Sequence, residues 1–169
     1  MDRLYAPWRE KYVRGHSEKN ETTDIKECIF CTQYNEKNDD KNFILARYKH
    51  YFVMLNLYPY NGGHVLIVSN EHRAAIEDFL PEQRTELIEL VAQASMILKK
   101  ELKAEGINVG VNSGRAAGAG IPAHFHLHVL PRWIGDTNFM PLIADTKQIG
   151  INLSVVYKQL KPLFNIVNA

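Results

Sequence analysis

Three histidines alternate with apolar residues in the segment HFHLHVL, at His124, His126 and His128. Alternation with period two is typical of a β-strand, in which residues i, i+2 and i+4 point to one face. Such a strand would direct Phe125 and Leu127 into the core and the three imidazoles to the opposite face, roughly 6.6 Å apart along the backbone. A row of this kind suits imidazoles with different roles, and it is poorly shaped to surround one metal ion.

A small-residue segment, GRAAGAG at residues 114–120, lies just before the histidines. Small residues allow backbone N–H groups to approach phosphate oxygens closely, although glycines alone are a weak signal. Arg115 within this segment could bind distal phosphates through its planar guanidinium, or it could be an ordinary surface arginine.

Two cysteines have the spacing C-x-x-C, at Cys28 and Cys31. The pair alone is compatible with a redox site, a metal site or coincidence. A tetrahedral structural zinc would need two further ligands from elsewhere in the chain.

Residues 124–130 resemble the histidine triad (HIT) nucleotide-binding family. The longer run 112–141, together with APWR at 6–9 and CIFC at 28–31, is similar to its diadenosine tetraphosphate hydrolase/phosphorylase branch. The likeness covers nearly the whole chain. It implies a five-stranded antiparallel sheet with a long helix packed across it, usually paired as a homodimer.

The resemblance also implies roles for two of the histidines. His126, in the middle, would attack the α-phosphate of a nucleotide and form a covalent nucleotidyl-histidine, and His128 would bind phosphate oxygens in the transition state. A neutral imidazole can act in this way only if a hydrogen bond to its other nitrogen fixes the tautomer. The family uses a backbone carbonyl from the segment just before the triad.

Nucleotide contacts are implied at further positions. Asn56 would bind a ribose hydroxyl, and His64 would lie under the triad and order it. The remaining implied contacts, with phosphates or leaving group, are Asn112, Ser113, Arg115, Gly118, Ala119, Gly120 and Ile121. Many family members carry a glutamine in this segment, and this chain has none between Asn112 and His124.

Relatives in this family, and in the related galactose-1-phosphate uridylyltransferases, complete a zinc site with two histidines. The resemblance therefore implies a closed structural zinc site at Cys28, Cys31, His72 and His124. A closed site has no open ligand position, so catalysis itself would require no cofactor.

The expected function is a nucleotidyl-transferring hydrolase or phosphorylase that cleaves diadenosine polyphosphates or related adenosine nucleotides at the α-phosphate. The alternatives are a purine-nucleotide-binding signalling module with incidental turnover, an adenosine phosphoramidase, and a metal-dependent hydrolase. The linear histidine spacing, without a carboxylate ligand between residues 112 and 135, disfavours the metal-dependent enzyme.

Composition limits the classes of protein to consider. The 169 residues carry a net charge of +1, which gives no electrostatic argument for nonspecific nucleic-acid binding. No apolar run approaches the roughly 18 residues that a membrane span needs, and the N-terminus lacks a signal-peptide core. The cytoplasm is the expected location.

The hydrophobic pattern predicts the α+β elements that position these residues. Strands are predicted at 43–48, 51–56, 64–69, 107–112 and 124–130, with a short helical turn at 72–79. An apolar stripe from Pro81 to Leu102 predicts a long helix, and residues 152–166 predict a C-terminal helix bent or broken at Pro162. Residues 1–169 are predicted to form one domain, with an aromatic N-terminal arm at 1–20 and a surface loop at 33–42.

Overall fold

The computed structural model describes residues 28–136, 150 and 152–165. The predicted N-terminal arm and the 137–141 portion of the family-like run lie outside these residues. The strands are β1 (Ile44–Arg47), β2 (Tyr51–Leu55), β3 (Val65–Ser69), β4 (Gly106–Gly110) and β5 (His126–Arg132). The α-helices are α1 (Ile29–Glu36), α2 (Pro81–Glu101) and α3 (Leu153–Asn165), and short 3-10 turns occupy Ile76–Asp78 and Arg115–Ala117.

The five strands form one sheet in the order β1-β2-β3-β5-β4, and each neighbouring pair is antiparallel. The predicted α+β fold with a five-stranded antiparallel sheet is therefore confirmed. The last strand in the sequence lies between β3 and β4. This order places the histidine-bearing strand inside the sheet, with Val68 opposite His126 and Leu66 opposite His128.

One face of the sheet carries the main hydrophobic core. Phe125, Leu127 and Val129 point to this face, as the alternation predicts, and they belong to the same buried cluster as Leu87 and Leu98 of α2. The C-terminal helix covers the other end of this core through Tyr157, Leu160 and Phe164. The helix continues through Pro162, so of the two predicted effects of this proline a break does not occur and a bend stays a prediction.

The opposite face, which carries the histidines, has a smaller core. It packs Phe30 of α1 and the two cysteines against residues of the central strands, which are Ile44, Phe52, Met54, Leu66 and Val68. Helix α1 therefore covers the β1-to-β3 side of this face and begins beside His126, through Phe30.

The predicted surface loop at 33–42 is wrong at its first four residues, which continue helix α1. Their polar composition suggested a loop, but burial of Phe30, Cys31 and Gln33 stabilises the helix, so tertiary packing outweighs propensity. Lys37 ends the helix in a left-handed conformation, with φ of 52°.

Gly63 brings the loop between β2 and β3 close to the main core. Its φ is +80°, and a Cβ at this position would lie 2.4 Å from Leu102 Cδ1. Glycine is therefore required for this approach. The next residue, His64, is 1% exposed, at the entrance to β3. Among the helices of the described residues, none has the length and apolar character needed to cross a membrane.

Candidate active site and metal site

His126 and His128 lie on one face of β5, with ring centroids 5.2 Å apart. Alternation along a strand predicts that these two side chains share a face. His124 precedes β5, which begins at His126, but its ring lies on the same side: it contacts the Phe30 ring at 5.4 Å, and that ring also contacts the His126 ring at 5.1 Å. The strand predicted to begin at residue 124 thus begins two residues later, since His124 N–H donates to Ile121 O and Phe125 N–H donates to Arg73 O at 2.6 Å.

A hydrogen bond within the triad fixes the tautomer of His126. Its Nδ1 lies 2.8 Å from the backbone carbonyl oxygen of His124. A carbonyl can only accept, so Nδ1 carries the proton and Nε2 holds the lone pair. The carbonyl expected before the triad thus belongs to the first triad residue. His126 presents an unprotonated nitrogen, as a nucleophile must.

His128 has the opposite tautomer, set by a chain of donors. Tyr60 N–H donates to His64 Nδ1 at 3.1 Å, and Asn56 Nδ2 lies 3.2 Å from the same atom. The proton of a neutral His64 is therefore on Nε2, which lies 2.9 Å from His128 Nδ1. His128 then carries its proton on Nε2, an atom without a hydrogen-bond partner among the described residues. The lone pair on His126 Nε2 and the N–H donor on His128 Nε2 consequently lie on neighbouring rings of the same face of β5.

Burial keeps these imidazoles neutral. It lowers the pKa of His64 to about 3 and that of His128 to about 4, with smaller contributions from neighbouring histidines. The pKa of His126 is also lowered by burial, and its bond to the His124 carbonyl opposes part of this shift. At neutral pH the tautomers deduced above are therefore the relevant states.

The glycine-containing loop folds upon itself before the histidines. Gly118 N–H donates to Arg115 O at 2.9 Å, and Ala119 N–H donates to Gly114 O at 3.2 Å. Gly118 has φ of +89°, which favours glycine. Within the stretch from Gly118 to Ile121, the N–H groups of Gly120 and Ile121 have no backbone partner among the described residues. The phosphate-binding roles in this loop stay predictions.

The other predicted nucleotide contacts lie around the same face. Asn112, half-buried, lies at the end of β4 and lines a cleft beside His128. Ser113 is exposed and Arg115 is half-buried in the following turn. Their roles toward phosphate stay predictions.

Four residues from three segments could hold a metal ion. Their ligand atoms all lie within 4.8 Å of one another, and the residues are Cys28, Cys31, His72 and His124. The sulfur-to-nitrogen distances are 3.2 Å from Cys28 to His124, 3.3 Å from Cys31 to His72 and 3.4 Å from Cys31 to His124. A tetrahedral zinc with these ligands requires about 3.5 Å between sulfur and nitrogen. The cluster therefore fits such an ion.

His124 is oriented for metal binding by a second hydrogen bond. Its Nε2 lies 2.8 Å from the Ser69 carbonyl oxygen, so Nε2 carries the proton and Nδ1 offers its lone pair to the cluster. Burial, and secondly Cys28, raises the pKa of Cys31 to about 11, so this thiol ionises at neutral pH only beside a cation. The lone pair on His124 Nδ1 therefore suits a cation in the cluster, and such an ion would have to displace the proton of the Cys31 thiol.

Several residues that contribute to these two sites were not predicted from the sequence. The Ser69 carbonyl and the Tyr60 N–H are backbone groups, and a sequence does not indicate where they point. The Phe30 ring, 5.1 Å from the His126 ring, lies at one edge of the site. The motif CIFC includes this residue, but its spacing alone does not reveal that contact.

Comparison with known sequences yields matches along most of the chain. The family model described as HIT domain matches residues 37–133. A protein named AP-4-A phosphorylase, from Mycobacterium tuberculosis, is 33% identical over 150 residues, which cover 88% of this chain and 77% of that protein. An asymmetrical bis(5'-nucleosyl)-tetraphosphatase from Schizosaccharomyces pombe is 30% identical over 104 residues, covering 61% of this chain and 57% of that protein.

Solved structures of other proteins have a fold similar to that of this chain. A zinc-bound histidine triad family protein from Mycobacterium smegmatis superimposes with a TM-score of 0.68 at 20% identity, covering 86% of this chain and 98% of that one. A hypothetical histidine triad nucleotide-binding protein from Sulfolobus tokodaii has a TM-score of 0.67 at 23% identity, covering 83% and 94% of the two chains.

Proposed function

This chain belongs to the HIT domain family, and from that premise we propose that it is a nucleotidyl-transferring enzyme that cleaves diadenosine polyphosphates at the α-phosphate. Relatives named AP-4-A phosphorylase and tetraphosphatase support this substrate class. Related adenosine nucleotides, which share the attacked group, belong to the same proposal.

The observation that carries the proposal is the pair of opposite tautomers on β5. His126 holds a lone pair on Nε2, while His128 holds a proton on Nε2, and the two rings are 5.2 Å apart. A nucleophile beside a fixed hydrogen-bond donor suits displacement at a phosphorus whose oxygens gain charge.

The reaction would proceed in two displacements. His126 Nε2 forms a bond to the α-phosphorus, and the bond to the bridging oxygen breaks, so the leaving nucleotide departs with that electron pair. An oxygen of the acceptor then attacks the same phosphorus, and the nitrogen–phosphorus bond returns its electron pair to Nε2. The His128 Nε2–H donates to a phosphate oxygen throughout.

Other side chains would position the substrate. Asn56 already contacts His64 through Nδ2 and accepts from Tyr58 N–H through Oδ1, and each of these atoms keeps capacity for a ribose hydroxyl. Gly120 and Ile121 would donate their N–H groups to phosphate. Arg115 would bind phosphates farther from the attacked atom.

Inorganic phosphate is the acceptor that we favour, because the AP-4-A phosphorylase relative covers 88% of this chain. The test is product analysis of diadenosine tetraphosphate with and without phosphate. ADP and ATP formed only with phosphate would support phosphorolysis, whereas AMP and ATP would indicate hydrolysis. Absence of cleavage, with His126→Ala as the matched control, would overturn the proposed substrate.

We also infer that the metal held by the cysteine–histidine cluster is zinc with a structural role. Two thiolates and two imidazoles form a preferred zinc ligand set, and four protein ligands leave no position for substrate. The ion would link the start of α1 to the loop after β3 and to His124. No step at His126 involves it.

A homodimer completes the proposal. The outer edge of β4 is unpaired in the sheet of the described residues, and Val109 on this strand is 48% exposed. Met96 and Ile88 on α2 are each 60% exposed. Strand edges and apolar side chains of this kind are suited to a two-fold contact, to which the 1–20 arm could add. The free thiols of Cys28 and Cys31 favour a reducing compartment, the cytoplasm.

A further inference from the structure

A cleft next to His128 runs along strands β4 and β5 on the histidine face. The residues that line it are Tyr60 from the loop before β3, His128 and Leu130 of β5, and Asn108, Val109, Gly110 and Asn112 on or just after β4. None of the described residues that line it is an acid, a lysine or an arginine. Phosphate groups favour sites with cations, so this uncharged cleft suits an uncharged, partly polar group.

Tyr60 gives the cleft an aromatic wall. Its ring is stacked on His128, with centroids 5.7 Å apart and planes inclined by 17°. It also contacts His64 at 4.9 Å. The side chain nevertheless stays 52% exposed, and this exposed part borders the cleft. A supported but accessible aromatic ring is a suitable platform for a flat heterocycle.

One ion pair connects Asn108 of the cleft with the loop that carries Tyr60. Arg132 binds Asp136 through two contacts of 2.7 Å and donates to Asn108 Oδ1 at 2.8 Å. Asp136 in turn accepts from Asn61 Nδ2 at 2.7 Å, which anchors the Tyr60 loop.

This network also orients the Asn108 amide. Its oxygen accepts from Arg132, so its NH₂ group remains to donate to a bound molecule. The cleft is thus lined by the aromatic ring of Tyr60 and by the oriented amide donor of Asn108.

The cleft continues directly from the reacting atoms. His126 and His128 are 5.2 Å apart, and His128 and Tyr60 are 5.7 Å apart, so the three rings form a path from the nucleophile into the cleft. Phe30 of helix α1 contacts His126 from the β3 side of β5, whereas the cleft lies on the β4 side. A substrate that is attacked at His126 and extends past His128 would place its far end against Tyr60.

We propose that this cleft binds the second nucleoside of a dinucleoside polyphosphate, the one that departs with the leaving group, and that Tyr60 determines specificity by stacking on its base. This inference rests on the proposed function and adds a binding site for the half of the substrate that is not attacked. The Asn108 amide would contact the base or ribose of that nucleoside.

The test compares two ligands that differ only in the second nucleoside, diadenosine tetraphosphate and adenosine 5'-tetraphosphate. Their dissociation constants are measured by calorimetry in the His126→Ala background, so that neither ligand is consumed. Tyr60→Ala should raise the dissociation constant of diadenosine tetraphosphate by roughly 5- to 150-fold, which corresponds to the loss of one base stacked on an aromatic ring. The dissociation constant of adenosine tetraphosphate should not change. Tyr60→Phe should keep the preference, since the ring remains.

Tyr58→Ala is the matched control, because Tyr58 is a neighbouring aromatic residue that is 85% exposed. It should not alter either affinity. Equal weakening of both ligands by Tyr60→Ala would overturn the inference, because Tyr60 would then act only by supporting His128. If neither ligand binds when Tyr60 is present, the proposed function fails, and this inference fails with it.

Discussion

The Nε2 atom of His64 lies 2.9 Å from Nδ1 of His128, and this contact decides which nitrogen of His128 carries the proton. His64 can donate here because Tyr60 N–H occupies its other nitrogen. A residue outside the triad motif therefore determines the hydrogen-bonding character of a residue within it.

Replacing His64 with phenylalanine should lower kcat by about 10- to 100-fold, since His128 could then carry its proton on the wrong nitrogen. This loss is smaller than the roughly 100- to 1,000-fold cost of deleting a transition-state donor. Steady-state kinetics with diadenosine tetraphosphate measure it. His50→Phe is the control, because His50 pairs with Glu86 of α2, away from the triad. An unchanged kcat in His64→Phe would show that His64 does not control the tautomer of His128 during catalysis.

The variant His126→Ala should lose turnover by several orders of magnitude, because no other lone pair is aimed at the α-phosphate. Nucleotide binding should remain measurable, since Asn56 and the glycine loop are unchanged. Rapid-quench assays and calorimetry measure the two properties separately. Near-wild-type kinetics would show that His126 is not the nucleophile.

Metal analysis of protein never exposed to a chelator should find close to one equivalent of zinc. Cys28→Ser should lower the melting temperature more than it lowers initial turnover, because the ion contributes to folding and not to chemistry. Zinc binding should weaken as pH falls, since protons compete for thiolates and imidazoles.

His124→Ala is the informative comparison for the zinc prediction. It should reduce both stability and turnover, because loss of the ring ligand releases the segment whose backbone carbonyl orients His126. A chelator that abolishes turnover reversibly at unchanged stability would instead favour a catalytic metal.

Stability should fall as the solution is acidified below pH 6.5. The pKa values of His64 and His128 are lowered to about 3 and about 4 in the folded protein, whereas an unfolded histidine titrates near 6.5. Between these values the unfolded chain binds more protons, so stability present above pH 6.5 is lost as pH falls. Each imidazole contributes a slope of about 1.4 kcal/mol per pH unit.

Denaturant unfolding between pH 7 and pH 4 measures this slope. In His64→Asn the slope should decrease by the contribution of one imidazole, because asparagine does not titrate. An identical slope in the two proteins would show that His64 is not held neutral by burial.

Light scattering at micromolar concentration should give the mass of a dimer. Val109→Lys should shift the population toward monomer, because it places a charge at the exposed edge strand. Ser154→Lys, at an exposed position at the start of α3, is the control and should leave the mass unchanged. A monomeric mass for the unaltered protein would contradict the proposed assembly.

The sequence patterns predict most of the fold and much of the candidate site. Period-two alternation correctly places Leu127 and Val129 in the core and His126 and His128 on the opposite face. Three- and four-residue spacing locates α2, which begins at Pro81 as predicted. The resemblance names four metal-ligand candidates, and their ligand atoms lie together in the structure.

The remaining features depend on backbone positions that only the folded chain defines. His124 lies just before β5, because its N–H bonds Ile121 and the N–H of Phe125 bonds Arg73, and alternation does not reveal where the strand begins. Tyr60 lies in a loop without periodicity, and long-range contacts such as that of Asn61 with Asp136 bring it to His128. Long-range contacts of this kind have no local signature.

The position of β5 between β3 and β4 has a consequence for the order of events during synthesis. Strands β1, β2 and β3 can pair in succession, but β5 pairs with both of its neighbours only after residue 132 has been made. Cys28 then meets His124 across 96 positions of the chain. Closing such long loops carries an entropic cost before any contact compensates it. Neither the cysteine–histidine cluster nor the aligned pair of imidazoles can form before this part of the chain has been made, so a nascent chain truncated ahead of His124 has neither.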